Sequence, residues 1–104
     1  VSQFENVTLV KAANIYFDGK VTSRTVLRAD GSRVTLGIML PGDYEFETAE
    51  KEIVEVLAGD LEVLLPNESE WRKIGSGDVF EIPVDSKFLL KIETVMDYIC
   101  SYTT

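Results

Sequence analysis

The sequence predicts an all-β domain of antiparallel strands, a sandwich or a barrel, and three features carry that reading. Apolar residues recur in short alternating runs. Clusters of Gly, Pro, Asn and Asp interrupt those runs every ten or so positions. Helical spacing is confined to residues 2–13, where Phe4, Val7 and Leu9 or Val10 fit a helix but the Val-Thr-Leu-Val run also suits a strand. A chain of 104 residues is long enough for one hydrophobic core and too short for a second lobe with its own site.

The elements follow from the punctuation. Asp18-Gly19 turns the chain into a strand over residues 20–27, and Asp30-Gly31-Ser32 reverses it into residues 33–40. Pro41-Gly42-Asp43 leads to residues 44–48, which are followed by a strand at 53–57. Ala58-Gly59-Asp60 then opens residues 61–65, and Pro66-Asn67 precedes 70–74. Gly75-Ser76-Gly77-Asp78 introduces residues 79–82, Pro83-Val84-Asp85-Ser86 introduces 88–92, and residues 96–102 form the last strand.

Alternation tells which side chains share a face. Arg33, Thr35, Gly37 and Met39 share one side of their strand, with Val34, Leu36, Ile38 and Leu40 on the other. The first set is mixed, and its central glycine permits close approach of a ligand or another backbone. Tyr44, Phe46 and Thr48 share a face that excludes Glu45 and Glu47. Tyr98, Cys100 and Tyr102 share one side of the last strand.

Composition narrows the chemistry. The chain has no histidine, so Ser-His-Asp and Cys-His machinery, His-ligated metals and imidazole acid–base catalysis are excluded. Any proton transfer must use carboxylates, Tyr, Lys or water. The 18 acidic against 10 basic residues give a net charge of −8, which opposes nucleic-acid polymers and anionic lipid as main partners. A small anion remains possible where Arg or Lys cluster locally, because screening limits the global field to ~8 Å. A single cysteine, Cys100, allows no intrachain disulfide, and no basic segment followed by an apolar run opens the sequence. No apolar stretch approaches the ~20 residues of a membrane helix. The expected location is cytoplasmic.

Pro41-Gly42, a short strand and Glu52 seven residues before Gly59 form the frame of the first cupin motif. Gly77, five residues, Pro83 and a strand near Phe88 form the frame of the second. Together they predict a cupin-type, double-stranded antiparallel jelly-roll barrel. The metal-ligand positions of that frame fall on Phe46 and Thr48, or on Thr48 and Glu50 counted from Gly42, and on Phe88. Only Glu52 matches a ligand position of the frame, and a carboxylate with a hydroxyl and a phenyl ring does not make a divalent-metal site, so neither a metal nor another cofactor is expected.

The resemblance extends beyond the fold. Tyr16 to Val21, Gly37 to Glu50, the run GDLEVLLP from Gly59 to Pro66, Trp71, Val79 to Pro83, Ser86 and Phe88 resemble the small single-domain cupins of the pyrimidine/purine nucleoside phosphorylase family. The likeness spans about Tyr16 to Tyr102. It implies metal-independent phosphorolysis of purine and pyrimidine nucleosides to free base and pentose 1-phosphate, with nucleosides and inorganic phosphate as partners in a homodimer. Against it, residues 1–14 read as an N-terminal extension to a single cupin domain at 15–104. Ser101 stands where the family is expected to carry Arg, which leaves Arg33 as the matching cation. The alternative is a non-enzymatic sugar- or nucleoside-binding cupin.

Phosphorolysis needs a held phosphate, a stabilised oxocarbenium-like transition state and help for the departing base. Arg33 is the candidate for phosphate through its planar fork, aided by the Thr35 hydroxyl; its plain reading is a strand-end surface residue. Glu52, the acidic residue turned inward by the cupin frame, can bind ribose hydroxyls or, if burial raises its pKa, donate a proton. Thr48 offers a hydroxyl to the ligand or to its own sheet. Tyr98 and Tyr102 can stack a base or reach phosphate, and otherwise fill a core or a subunit contact. Phe46 and Met39, with Phe88, form an apolar wall for a base or ordinary filling.

Overall fold

The computed structural model describes residues 2–103 of the chain, and its strands form two antiparallel sheets. The seven-stranded sheet contains β1 (Thr8–Leu9), β2 (Asn14–Tyr16), β3 (Val21–Leu27), β4 (Arg33–Met39), β6 (Lys51–Ala58), β9 (Val79–Ile82) and β11 (Met96–Thr103). The four-stranded sheet contains β5 (Gly42–Glu47), β7 (Leu61–Leu64), β8 (Arg72–Ile74) and β10 (Lys87–Ile92). Among the described residues there is no α-helix, and the one helical turn is a 3-10 turn at Phe17–Gly19. Among the described residues no helix is long and apolar enough to cross a membrane.

The ambiguous N-terminal segment, residues 2–13, is mostly irregular and contains no helix; its one regular piece is the two-residue strand β1. β1 and β2 both pair antiparallel with β3, Thr8 opposite Leu27 and Asn14 opposite Ser23, so tertiary pairing overrides the weak helical spacing. The larger sheet runs β1-β3-β4-β11-β6-β9 and the smaller β5-β10-β7-β8. β11 therefore lies between β4 and β6, far from its neighbours in sequence. The chain changes sheet between β4 and β5 at Leu40-Pro41, and again before β6. Sheet edges are blunted by short strands, the three-residue β8 carrying Arg72 and Lys73.

The core lies between the sheets. Ile82, Leu90, Met96, Val56 and Val63 are essentially inaccessible, each contributing about 1.5–3 kcal/mol by burial. The mixed face of β4 is the one turned inward: Met39 and Thr35 are buried while Ile38 remains exposed. Its glycine has a specific cause. A Cβ on Gly37 would clash with the backbone carbonyl of Thr22 on β3 and sit 2.7 Å from the hydroxyl of Tyr98, its cross-strand partner on β11, so both flanking strands crowd the bare backbone.

Candidate functional site

The inward faces enclose a cavity of about 300 Å³. Its polar end is dictated by register. Tyr102 on β11 pairs with Glu52 on β6, and Ser101 pairs with Val34 on β4, which brings Arg33 alongside Tyr102 on its other flank. Arg33, Tyr102 and Glu52 thus stand in one row across three strands. With neighbouring strands ~4.8 Å apart, the backbones of Arg33 and Glu52 are ~10 Å apart. Both side chains line the cavity, as do Tyr98, Tyr102, Phe46 and Met39.

Arg33 is fixed on two sides. Its guanidinium lies over the Tyr102 ring, 4.0 Å from the centroid, and its Nη2 donates to Glu50 Oε1 at 2.6 Å. The Tyr102 hydroxyl shares a 3.0 Å hydrogen bond with Thr35, which is buried behind it. Thr35 does not line the cavity; it holds the ring that supports the cation.

Glu52 is half-buried, and burial raises its carboxyl above the ordinary range despite the opposing effects of the Cys100 thiol and Arg33. The thiol donates to Glu52 Oε1 at 3.5 Å. Burial, then the Glu52 charge, pushes Cys100 up to about 12, so no thiolate is available as a nucleophile near neutrality. Burial likewise raises the Tyr98 and Tyr102 phenols well above their usual value, so both stay protonated.

The opposite wall is aromatic. Phe46 and Phe88 are cross-strand partners on β5 and β10, stacked with centroids 5.6 Å apart. Phe17 meets Phe46 edge-on at 5.4 Å and Tyr44 at 5.1 Å. Phe17 and Asp18 both have left-handed backbones, φ 52° and 56°, a strained geometry for a bulky residue. The aromatic contacts hold that turn in place, and the preceding Tyr16, half exposed, forms part of the cavity lining.

Thr48 is elsewhere. Its hydroxyl donates to Pro83 O at 2.7 Å and accepts from the Ser86 amide at 3.0 Å, tying the end of β5 to the loop before β10. Those backbone groups satisfy it, and it does not line the cavity of Arg33 and Glu52.

Sequence reasoning passed over Glu50, Tyr16 and Phe17. Glu50 entered only as an alternative metal-ligand position counted from Gly42; it lies in the bend just before β6, where strand alternation gives no side. The aromatic pair lies in a turn, where alternation carries no information. Among the residues lining the cavity, Arg33 is the one cation, alongside Glu47, Glu50 and Glu52.

Two antiparallel sheets around a ligand-sized cavity, with Phe46, Thr48 and Phe88 at the metal-ligand positions of the frame, define a cupin with an aromatic and carboxylate-lined pocket. A cupin-like protein from Thermotoga maritima shares the fold at a TM-score of 0.65 and 19% identity, covering 80% of this chain and 68% of that one. The chain belongs to the pyrimidine/purine nucleoside phosphorylase family, whose sequence profile matches residues 11–102. A relative from Hydrogenovibrio crunogenus, named pyrimidine/purine nucleoside phosphorylase, is 61% identical over 102 residues, 98% of each chain. A solved structure from Acinetobacter sp. ADP1, described as a protein of unknown function, superposes with a TM-score of 0.95 at 34% identity, covering 99% of this chain and 100% of that one.

Proposed function

We propose that this protein catalyses phosphorolysis of purine and pyrimidine nucleosides, transferring the pentosyl group to inorganic phosphate with broad base tolerance and no metal requirement. The observation that carries the reading is the convergence of Arg33, Glu52 and an aromatic wall on one cavity in a chain of this family. Arg33 holds phosphate beside the anomeric carbon, while Phe46, Phe88 and Met39 pack against the base and Tyr98 borders the sugar. A phosphate oxygen bonds to the anomeric carbon as the carbon–nitrogen bond breaks, and the base departs with its electron pair. Glu52, favoured in its protonated form by burial, supplies a proton to the base or a hydrogen bond to the ribose hydroxyls. Metal independence is supported by the absence of histidine from the chain and by the identity of Phe46, Thr48 and Phe88.

The same reading makes the protein a cytoplasmic homodimer without affinity for nucleic-acid polymers. Ile38, Leu57 and Val79, exposed on the larger sheet, support self-association, and the net charge of −8 opposes polyanions. Residues 1–14 remain, in this proposal, an extension to the catalytic domain at 15–104.

The test is phosphate-dependent release of base and ribose 1-phosphate from inosine and uridine in the presence of chelator. Turnover in both supports the proposal, and no turnover across a nucleoside panel at high enzyme concentration sinks it. One observation favours a second reading, a non-enzymatic sugar- or nucleoside-binding cupin: the cavity's one cation is already paired with Glu50. Nucleoside binding without phosphate dependence would select that reading.

A further inference from the structure

The carboxylate balance of the cavity has a direct consequence for anion binding. Arg33 shares the cavity lining with Glu47, Glu50 and Glu52, and Nη2 of its fork is engaged by Glu50. The ring of Tyr102 covers one face of the guanidinium, which leaves its edges as the surface for an oxyanion. We propose that Glu50 is a specificity-determining residue that occupies the phosphate position on Arg33 and must be displaced by the incoming oxyanion. This rests on the reading of Arg33 as the phosphate ligand.

The geometry suits exchange. The Arg33 and Glu50 side chains are 42% and 34% exposed, so the pair is partly hydrated and weak enough to open. Glu50 precedes β6, while Arg33 is held by its strand and by Tyr102, so the carboxylate is the partner free to swing away. A multivalent oxyanion can take two N–H donors at once and displaces one carboxylate oxygen. A singly charged, poorly bonding anion does not. Glu50 therefore keeps the empty site neutral at Arg33 and filters anions by how well they compete, in an enzyme whose other cavity carboxylates repel them.

The probe is inorganic phosphate, titrated calorimetrically at constant ionic strength into the wild type, Glu50→Gln, Glu47→Gln and the double variant Arg33→Met/Glu50→Gln. Glu50→Gln should tighten phosphate binding by about three- to tenfold. Glu47→Gln, with the same change in charge at the same cavity, should alter it by less than about twofold. The gain at Glu50 should vanish without Arg33. Unchanged or weaker binding by Glu50→Gln overturns the proposal, as does an equal gain from Glu47→Gln or a gain that survives loss of Arg33. Turnover by the wild type is measured separately: a phosphate gain without turnover leaves Glu50 as the competitor and removes the phosphorylase reading.

Discussion

The guanidinium of Arg33 rests on the ring of Tyr102, 4.0 Å from its centroid, and Tyr102 is itself the cross-strand partner of Glu52. One aromatic residue therefore spaces Arg33 from Glu52 and orients the cation. Tyr102→Leu removes the platform, and a cation–π contribution of about 0.5–2 kcal/mol corresponds to a rise of roughly 2- to 30-fold in the KM for phosphate. Tyr102→Phe keeps the ring and should hold that KM within about twofold, while leaving Thr35 without its partner at a cost of about 1 kcal/mol in urea unfolding.

In the proposed mechanism Glu52 links activity to pH. Burial raises its folded carboxyl above the ordinary 4.5, so the folded state binds this proton more tightly than the unfolded state does. The stability contributed is fully present below the unfolded value and is lost as pH rises through the higher folded value. Glu52→Gln should flatten this fall in stability above pH 4.5 and be at least as stable as wild type at neutrality, as read by thermal unfolding across pH. Its kcat should drop by about 10²- to 10⁴-fold, the usual range for loss of a proton-transferring side chain.

Thr48 separates structure from binding. Thr48→Val preserves shape but leaves Pro83 O and the Ser86 amide without their hydroxyl partner. Urea denaturation should show a loss of about 1–3 kcal/mol. The KM for nucleoside should stay within about twofold, because the residue does not line the cavity; a large KM change at unchanged stability would contradict this placement.

Gly37→Ala tests how closely Thr22 on β3 and Tyr98 on β11 approach the glycine. The added methyl would clash with the Thr22 backbone carbonyl and stand 2.7 Å from the Tyr98 phenol oxygen, so a strand as well as the ring must shift. Overpacking of this kind costs about 1–3 kcal/mol. The near-ultraviolet circular dichroism of the tyrosines should change with it, and an unaltered spectrum with unaltered stability would refute the contact.

The strands from β3 onward were legible because each is short, alternating and bounded by Gly or Pro chemistry; 79–82 coincides with β9, and the others differ by one or two residues at an end, whereas β1 and β2, short and without such punctuation, were not legible. The shared faces of Arg33 with Met39 and of Tyr98 with Tyr102 follow from the same two-residue period. Pairing partners were not legible. Nothing local places β11 between β4 and β6, and that non-sequential insertion is what sets Arg33 beside Tyr102 and Tyr102 beside Glu52. Thr48 shows the converse limit: alternation gave it the face of Tyr44 and Phe46, but its hydroxyl is claimed by the backbone of a loop 35 residues away.

The central position of β11 also bears on how the site comes into being. The hydroxyls of Thr35 and Tyr102 meet across 67 residues of chain, and β11 pairs with β4 on one side and β6 on the other. Such long loops must close before any of these contacts is made, a topology that slows folding relative to one of local hairpins. No partly folded form lacking β11 can assemble the row of Arg33, Tyr102 and Glu52. Ligand binding at this cavity therefore reports completion of the larger sheet, and loss of β11 would abolish it while β3–β4 and β5–β10 could still be paired.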